Sequence, residues 1–273
     1  AKRPWLLVTR VLPETLFAVI KTLRRFTRRQ VMAGPLTAPR TPFNGNVSEH
    51  RNVAFVGLDL EDVKTVKNRF GVKVNDVMLA LVSATVRLFL LQRAALPKRP
   101  MIAIVPMADA VHDQRREGRN QLSPVFCRLH THVPDAAERL SAIGMSTAIA
   151  KEHNSAIGPA LLQDWTQCIP NFMSLFMQFY TRTGLSKLRP LSNLTLTNVR
   201  GSQEQLYLGG AAIRATYPLG PLVNGVGLNI SAVSLNGTIH VGLVSCPQLL
   251  PDLWEVANGL PVALKELLDA ANA

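Results

Sequence analysis

Residues 77–96 read Val-Met-Leu-Ala-Leu-Val-Ser-Ala-Thr-Val-Arg-Leu-Phe-Leu-Leu-Gln-Arg-Ala-Ala-Leu and are apolar around almost a whole helical wheel. A helix without a polar face has to be surrounded, so the rest of the chain must fold around this one. Just before it, Gly71-Val72-Lys73-Val74 reads as a turn and Asn75-Asp76 as the helix opening. Asn or Asp at that place can accept hydrogen bonds from free backbone N–H groups, and negative charge suits the positive end of the helix dipole. The segment is read as a buried core helix and not a bilayer span, because Arg87, Ser83 and Thr85 interrupt its best apolar stretch, Val77 to Leu91.

The rest of the pattern alternates helices with strands. Val53 to Leu60 suits a strand and Glu61 to Phe70 a short helix closed by Gly71. Met101 to Met107 and Ser123 to Val133 read as strands around a polar loop, Asp109 to Asn120. Asp135 to His153 and Ala160 to Thr181 read as helices, the second interrupted by Pro170. Leu194 to Val199, Ala212 to Tyr217, Gly227 to Ser234 and Thr238 to Ser245 read as strands, with Asn236-Gly237 as a hairpin turn. Asp252 to Ala271 is an amphipathic helix. Helices interspersed with a strand-rich core predict an α/β sandwich, and the terminal hairpin makes its sheet mixed. With 273 residues, 47% of them apolar, one large domain or two small ones can be built.

The first forty residues carry Lys2, Arg3, Arg10, Lys21, Arg24, Arg25, Arg28, Arg29 and Arg40 against Glu14, within a net charge of +12. Thr15 to Arg29 has helical spacing: Leu16, Val19, Ile20, Leu23 and Phe26 make a stripe, with Lys21, Arg24, Arg25 and Arg28 largely off it. Such a helix either packs its stripe on its own domain or lies on a membrane surface. The cations form a solvated face or an arm drawn to acidic headgroups or CoA phosphates. Nucleic acid fits less well, because aromatic residues are not interleaved with them. Gly34 to Gly45 is a Pro/Gly-rich connector, and the compact domain is expected from about Arg51. Lys2 and Arg3 precede a short apolar stretch cut by Arg10 and Pro13, which does not read as a signal peptide. Cys127, Cys168 and Cys246 are scattered and odd in number, which fits a reducing compartment better than a disulfide framework or a zinc site.

Six histidines are available for proton transfer: His50, His112, His130, His132, His153 and His240. None sits in a His-His-x-x-x-Asp-Gly context. His130 and His132 are expected on one strand face with Arg128 and Phe126, with no further metal ligand nearby. Ser202 lacks the flanks of a nucleophile elbow. Gly209-Gly210, Gly220, Gly225 and Gly227 lack nucleotide-binding spacing and are expected to serve turns and close backbone approach.

Several blocks in fixed order carry a resemblance. The run from Gly71 to Ala80 is similar to a G-x-t-v-N-D-v-v-L-A signature, and Gly118 to Ser123 to a G-N-x-x-S loop. Asp135, Arg139, Leu140 and Ile143 resemble a D-P-x-x-R-L-x-x-I helix start. Thr197 to Ser202 and Leu206 to Ala211 resemble an S-N-V-P-G-P…L-Y-l-a-G-A block, and Tyr217 to Pro221 with Gly225 to Ile230 a y-P-x-g-P…G-x-g-L-n-i hairpin. From about Asn52 to Leu267 the chain thus resembles the C-terminal half of the wax ester synthase / diacylglycerol acyltransferase family, of the CoA-dependent acyltransferase superfamily. The resemblance implies a mixed-sheet sandwich lobe of the chloramphenicol acetyltransferase-like fold over residues 51–273, with residues 1–50 as a basic amphipathic helix and inter-lobe linker. It implies transfer of a long-chain acyl group from acyl-CoA, as substrate and with no cofactor, to diacylglycerol or a fatty alcohol. The catalytic histidine would come from an N-terminal lobe, without which the chain is expected to be inactive.

The resemblance further implies that Asn75, Asp76, Asn198, Gly225, Gly227 and Asn229 shape or brace an inter-lobe channel, with no catalytic or metal-ligating residue here. Lys21, Arg24, Arg25, Arg28 and Arg29 are candidate contacts to an anionic surface, consistent with a cytoplasmic protein held peripherally at the inner membrane face or on lipid droplets. Departures are Val105-Pro106-Met107-Ala108-Asp109-Ala110, which lacks the family's strand-end arginine, the loss of both prolines at Arg200 and Ser202, and Leu235 in place of a tyrosine. A non-catalytic module that binds lipid or a membrane surface is the alternative reading.

Overall fold

A computed structural model describes residues 33–34, 36–108, 122–157 and 172–273. The basic helix expected over Thr15 to Arg29, with Lys21, Arg24, Arg25, Arg28 and Arg29, lies outside the described residues, as do the loop Asp109 to Asn120 and the first part of the helix expected from Ala160.

The chain runs β1 (Asn52–Asp59), α1 (Leu60–Phe70), α2 (Val74–Gln92), β2 (Ile102–Ala108), β3 (Leu122–Arg128), α3 (Ala136–Ile157), α4 (Phe172–Arg182) and α5 (Leu185–Leu188). It continues through β4 (Leu194–Val199), β5 (Tyr207–Leu208), β6 (Ala211–Ala212), β7 (Leu228–Leu235), β8 (Thr238–Ser245) and α6 (Leu253–Asn272). Six strands form one sheet in the order β1-β8-β7-β4-β2-β3, and β5 pairs with β6 alone. β4 is parallel to both β2 and β7, whereas β1–β8, β7–β8 and β2–β3 are antiparallel. The sheet is mixed, as the terminal hairpin predicts.

Side-chain alternation along paired strands decides what each face does. Leu58, Ile239, Val241, Ile230, Leu196, Ala103 and Val125 are buried on the inner face. There α2 lies between α3 and α6, which pack against β3 and β1. In α2, Val77 to Val82, Val86, Phe89 and Leu90 are all buried. By length and a mean hydropathy of 1.7 this helix meets the composition requirement for crossing a membrane, which Arg87, Ser83 and Thr85 do not prevent, yet 67% of the stretch is buried inside the fold, as expected of a core helix. Its close seat is set by small residues: a Cβ on Gly259 of α6 would lie 2.5 Å from Thr85 Cγ2.

Local codes explain the element ends. Asp59 caps α1 by accepting from the Glu61 and Asp62 amides at 2.7 and 3.1 Å, and Gly71 ends it in the left-handed conformation. Asn236 and Gly237 have φ of 49° and 76°, which is the type I′ turn expected of Asn-Gly in a two-residue hairpin.

Three expectations need correction. The strand read as Ser123 to Val133 stops at Arg128, because His130 takes φ 48° and turns the chain. The strand read as Ala212 to Tyr217 is two residues long at its start. The rest runs as a loop over the outer face of β8, where a Cβ on Gly242 would lie 2.1 Å from the Pro218 carbonyl oxygen. Third, packing begins well before Arg51. Phe43 is fully buried with the core, and Thr41 and Asn44 are buried beside it. Asn44 Nδ2 donates to the carbonyls of Ser192 and Gly225 at 3.0 and 2.7 Å, and its Oδ1 accepts from Thr41 and from Asn193 Nδ2 at 2.5 and 2.8 Å. A Pro/Gly-rich composition predicts an extended backbone here, but the carboxamide supplies the partners that an unpaired segment lacks, so it lies on the lobe as a strap.

Candidate functional site

α2 starts one residue before its Asn-Asp pair, and the two side chains then do different work. Asp76 is the third helical residue. Its Oδ2 accepts from the Lys73 amide at 2.9 Å and its Oδ1 from Thr147 Oγ of α3 at 2.6 Å. A buried carboxylate with both oxygens occupied, at a helix N-terminus, holds helix to turn and α2 to α3. Asn75 faces the other way. Its Oδ1 accepts from Asn198 Nδ2 at 2.7 Å, which ties the start of α2 to the C-terminal end of β4.

That pair stands at the wall of a cavity of about 740 Å³. Leu60, Val74, Val199, Leu235 and Ile239 give it apolar walls, and Glu61, Lys64, Arg200, Ser202 and Gln203 give it polar ones. The cavity lies where the ends of β4 and β7 meet the starts of α1 and α2, and the β7–β8 turn closes it through the Leu60 amide, which donates to Gly237 O at 2.9 Å. Beyond β4, a Cβ on Gly201 would fall 2.1 Å from Ser234 O, so only glycine lets the chain pass this wall.

The other expected positions are elsewhere. Asn229 pairs in register with Thr195, and Asn198 with Ala232, so Asn229 and Asn198 are on opposite faces of the sheet. Asn229 Nδ2 donates to Pro221 O at 3.3 Å, its Oδ1 accepts from Ser231 Oγ at 2.9 Å, and its carboxamide fills the space a Cβ on Gly220 would need. Gly225, with φ 91°, donates to Gly45 O at 2.8 Å and Gly227 to Phe43 O at 3.0 Å. Gly225 and Gly227 therefore anchor the strap, together with Asn44 and Asn193, which the sequence reading passes over. No local pattern marks those two asparagines, because the bonds Asn44 makes to Ser192 and Asn193 span 148 and 149 residues.

Among the described residues, His130, His240 and Cys127 are poorly poised for proton abstraction. His130 Nε2 lies 2.6 Å from Ser146 Oγ. Burial, with His132 and Arg128 nearby, pushes its imidazole down to about 4, which makes it a weak base. His240 is buried against the edge of Tyr217, and burial lowers it also. Burial and the Asp76 charge push the Cys127 thiol up to about 12, so it stays protonated. Among the described residues, no three His, Cys, Asp or Glu side chains cluster as metal ligands.

Comparison with known proteins agrees with this architecture. The model of the wax ester synthase/diacylglycerol acyltransferase (WS/DGAT) C-terminal domain matches residues 119–268, and that of the WS/DGAT catalytic domain matches residues 5–78. The likeness thus reaches further toward the N-terminus than Asn52. A Mycobacterium tuberculosis H37Rv protein bearing a diacylglycerol O-acyltransferase name is 46% identical over 274 residues, all of this chain and 54% of its own length. Another from that strain, named as diacylglycerol O-acyltransferase tgs2, is 34% identical over 93% of this chain and 55% of its own length. The chain therefore spans about half the length of the curated relatives it matches. Among solved structures, the wax ester synthase/diacylglycerol acyltransferase from Marinobacter aquaeolei VT8 superimposes with a TM-score of 0.72 at 28% identity, over 86% of this chain and 53% of that one. A nonribosomal peptide synthetase cyclization-docking bidomain from Sorangium cellulosum shares the fold alone, with a TM-score of 0.53 at 14% identity, over 92% of this chain and 49% of that one. From these matches, and from the Asn75-Asp76 helix start that they contain, the chain belongs to the wax ester synthase/diacylglycerol acyltransferase family.

Proposed function

We propose that this chain forms the C-terminal part of an O-acyltransferase that moves a long-chain acyl group from acyl-CoA to diacylglycerol or a fatty alcohol. The proton-abstracting imidazole comes from the part of the family's length that this chain does not span. The observation that carries the reading is the cavity beside the Asn75–Asn198 bond: it has apolar walls for an acyl chain, Lys64 and Arg200 for anionic groups, and no histidine among the described residues that line it. Asn75 and Asn198 hold that wall in shape, and Asp76 holds the helix behind it. The exposed ribbon β5–β6 reaches to the N-terminal part. The cationic stretch Lys21 to Arg29 keeps the assembled enzyme at an anionic membrane face or lipid droplet.

Co-producing the chain with an N-terminal family portion that bears the paired histidines, and following ester formation from labelled acyl-CoA, tests this. Turnover is expected only with both parts present, and is expected to fall about tenfold in Asn75→Ala or Asn198→Ala, the equivalent of 1.4 kcal/mol. Robust turnover by this chain alone, lost on mutating one of its own histidines, overturns the reading.

A further inference from the structure

A second cleft lies among the helices, away from the Asn75–Asn198 wall. Residue 87 is twelve positions beyond Asn75, or about 18 Å along α2 at 1.5 Å per residue. There α2, α6 and the turn before α3 enclose a cleft of about 170 Å³ lined by Arg87, Pro134, Arg139, Gly259 and Glu266. That is below the roughly 300 Å³ at which small-molecule pockets begin, and is the scale of a single ionic group.

Arg139 makes this cleft more than a packing defect. It is 3% exposed. One terminal nitrogen donates to the carbonyls of Val133 and Pro134, both at 2.9 Å, while Nε has no hydrogen-bond partner among the described residues. A buried guanidinium is normally matched by a carboxylate or its equivalent, and an N–H left bare in such a place is costly. No carboxylate lies within 4.0 Å of it among the described ion pairs. Glu266 is near enough to favour its charge, but sits exposed at the rim. Arg87 is the second cation. One of its nitrogens donates to Thr131 O at 2.7 Å, and the residue lines the same cleft. Two arginines, one of them with an unpartnered and fully buried Nε, thus line one small volume, and guanidiniums are the side chains that oxyanions fit best. The surrounding rim is apolar, with Leu88, Leu91 and Val262 all exposed.

We propose that this cleft is a binding site for a phosphate-type oxyanion, held by the Arg87 and Arg139 guanidiniums, with Arg139 turning its unpartnered Nε edge toward the ligand on binding. The source is free phosphate or the phosphomonoester headgroup of an amphiphile whose chains lie on Leu88, Leu91 and Val262. Glu266 opposes the ligand, so removing its charge tightens binding.

The full chain is titrated with inorganic phosphate and its melting temperature followed, against chloride at matched ionic strength. Phosphate is expected to give a saturable rise. Glu266→Gln should reach half-saturation at about tenfold less phosphate, and Arg87→Gln should lose the rise while melting near the wild type without phosphate. Arg139→Lys keeps the charge but removes the fork, and is expected to lose the rise; Arg87→Gln carries the test if that core variant does not fold. Phosphatidylcholine vesicles with and without phosphatidic acid separate the sources. Capture that needs phosphatidic acid, is competed by free phosphate and is weakened in Arg87→Gln assigns the headgroup. A phosphate-dependent rise without such capture assigns the free anion. No rise beyond chloride in the wild type and Glu266→Gln, or an equal rise in Arg87→Gln, overturns the proposal.

Discussion

The β7–β8 hairpin turns at Asn236-Gly237, with φ of 49° and 76°, and the β5–β6 ribbon at Gly209-Gly210, with φ of 57° and 84°. The two turns are alike, and both are written in residues that tolerate positive φ. Around them everything differs. β7 and β8 are eight residues each, pair throughout, and are flanked on both sides by other strands. β5 and β6 pair over two residues, and Tyr207 and Leu208 are 65% and 76% exposed. A turn code therefore sets where a chain reverses, while burial comes from what lies beside it. Two strands alone are marginal in water. The ribbon carries a large aromatic and a leucine outward, and its proposed contact with the N-terminal part rests on that exposure.

The largest effect that can break this comparison is in the packed hairpin. Leu243→Ala removes a fully buried side chain of β8 and is expected to cost about 2–5 kcal/mol in urea unfolding, whereas Leu208→Ala should stay within about 0.5 kcal/mol. Equal losses would show that the ribbon is packed in solution. Next, Gly237→Ala strains a closing turn and should cost about 1–2 kcal/mol, whereas Gly210→Ala should leave global stability untouched and change only local hydrogen exchange.

Acid sharpens the contrast. His240, on β8, titrates below its unfolded value because it is buried, and His130 does so down to about 4. The unfolded chain then binds more protons than the folded one below about pH 6.5, so stability is full above that value and falls as pH drops from there toward 4. Amides of β8 are expected to lose protection at pH 5 relative to pH 7, and those of residues 207–212 to show no change beyond intrinsic exchange. A flat melting temperature across this range would sink the assignment. The smallest effect is Leu208→Ser, which should leave this chain's melting temperature unchanged but weaken co-purification with an N-terminal family portion.

Legibility in the sequence follows the same division. α2 and the β7–β8 hairpin were readable because apolar periodicity and an Asn-Gly turn are local signals. Asp76 was readable as a helix-start group, since its cap partner Lys73 is three residues away. The partner of Asn75 was not, because Asn198 lies 123 residues on and a carboxamide carries no address. The failed strand from Ala212 to Tyr217 has the right residue types, but its place is a loop against Gly242, decided by tertiary contact. Likewise the prolines and glycines before residue 46 spell a connector, and only the folded body shows the sockets that Phe43 and Asn44 occupy.

Those sockets bear on any attempt to divide a protein of this family at its middle. A cut at residue 50 would strip the sheet of Phe43 and leave the carbonyls of Ser192 and Gly225 facing a gap, so the detached piece would be a damaged object and not an independent half. Severing ahead of Ala38 preserves the latch and yields the fragment whose behaviour reports on the lobe itself.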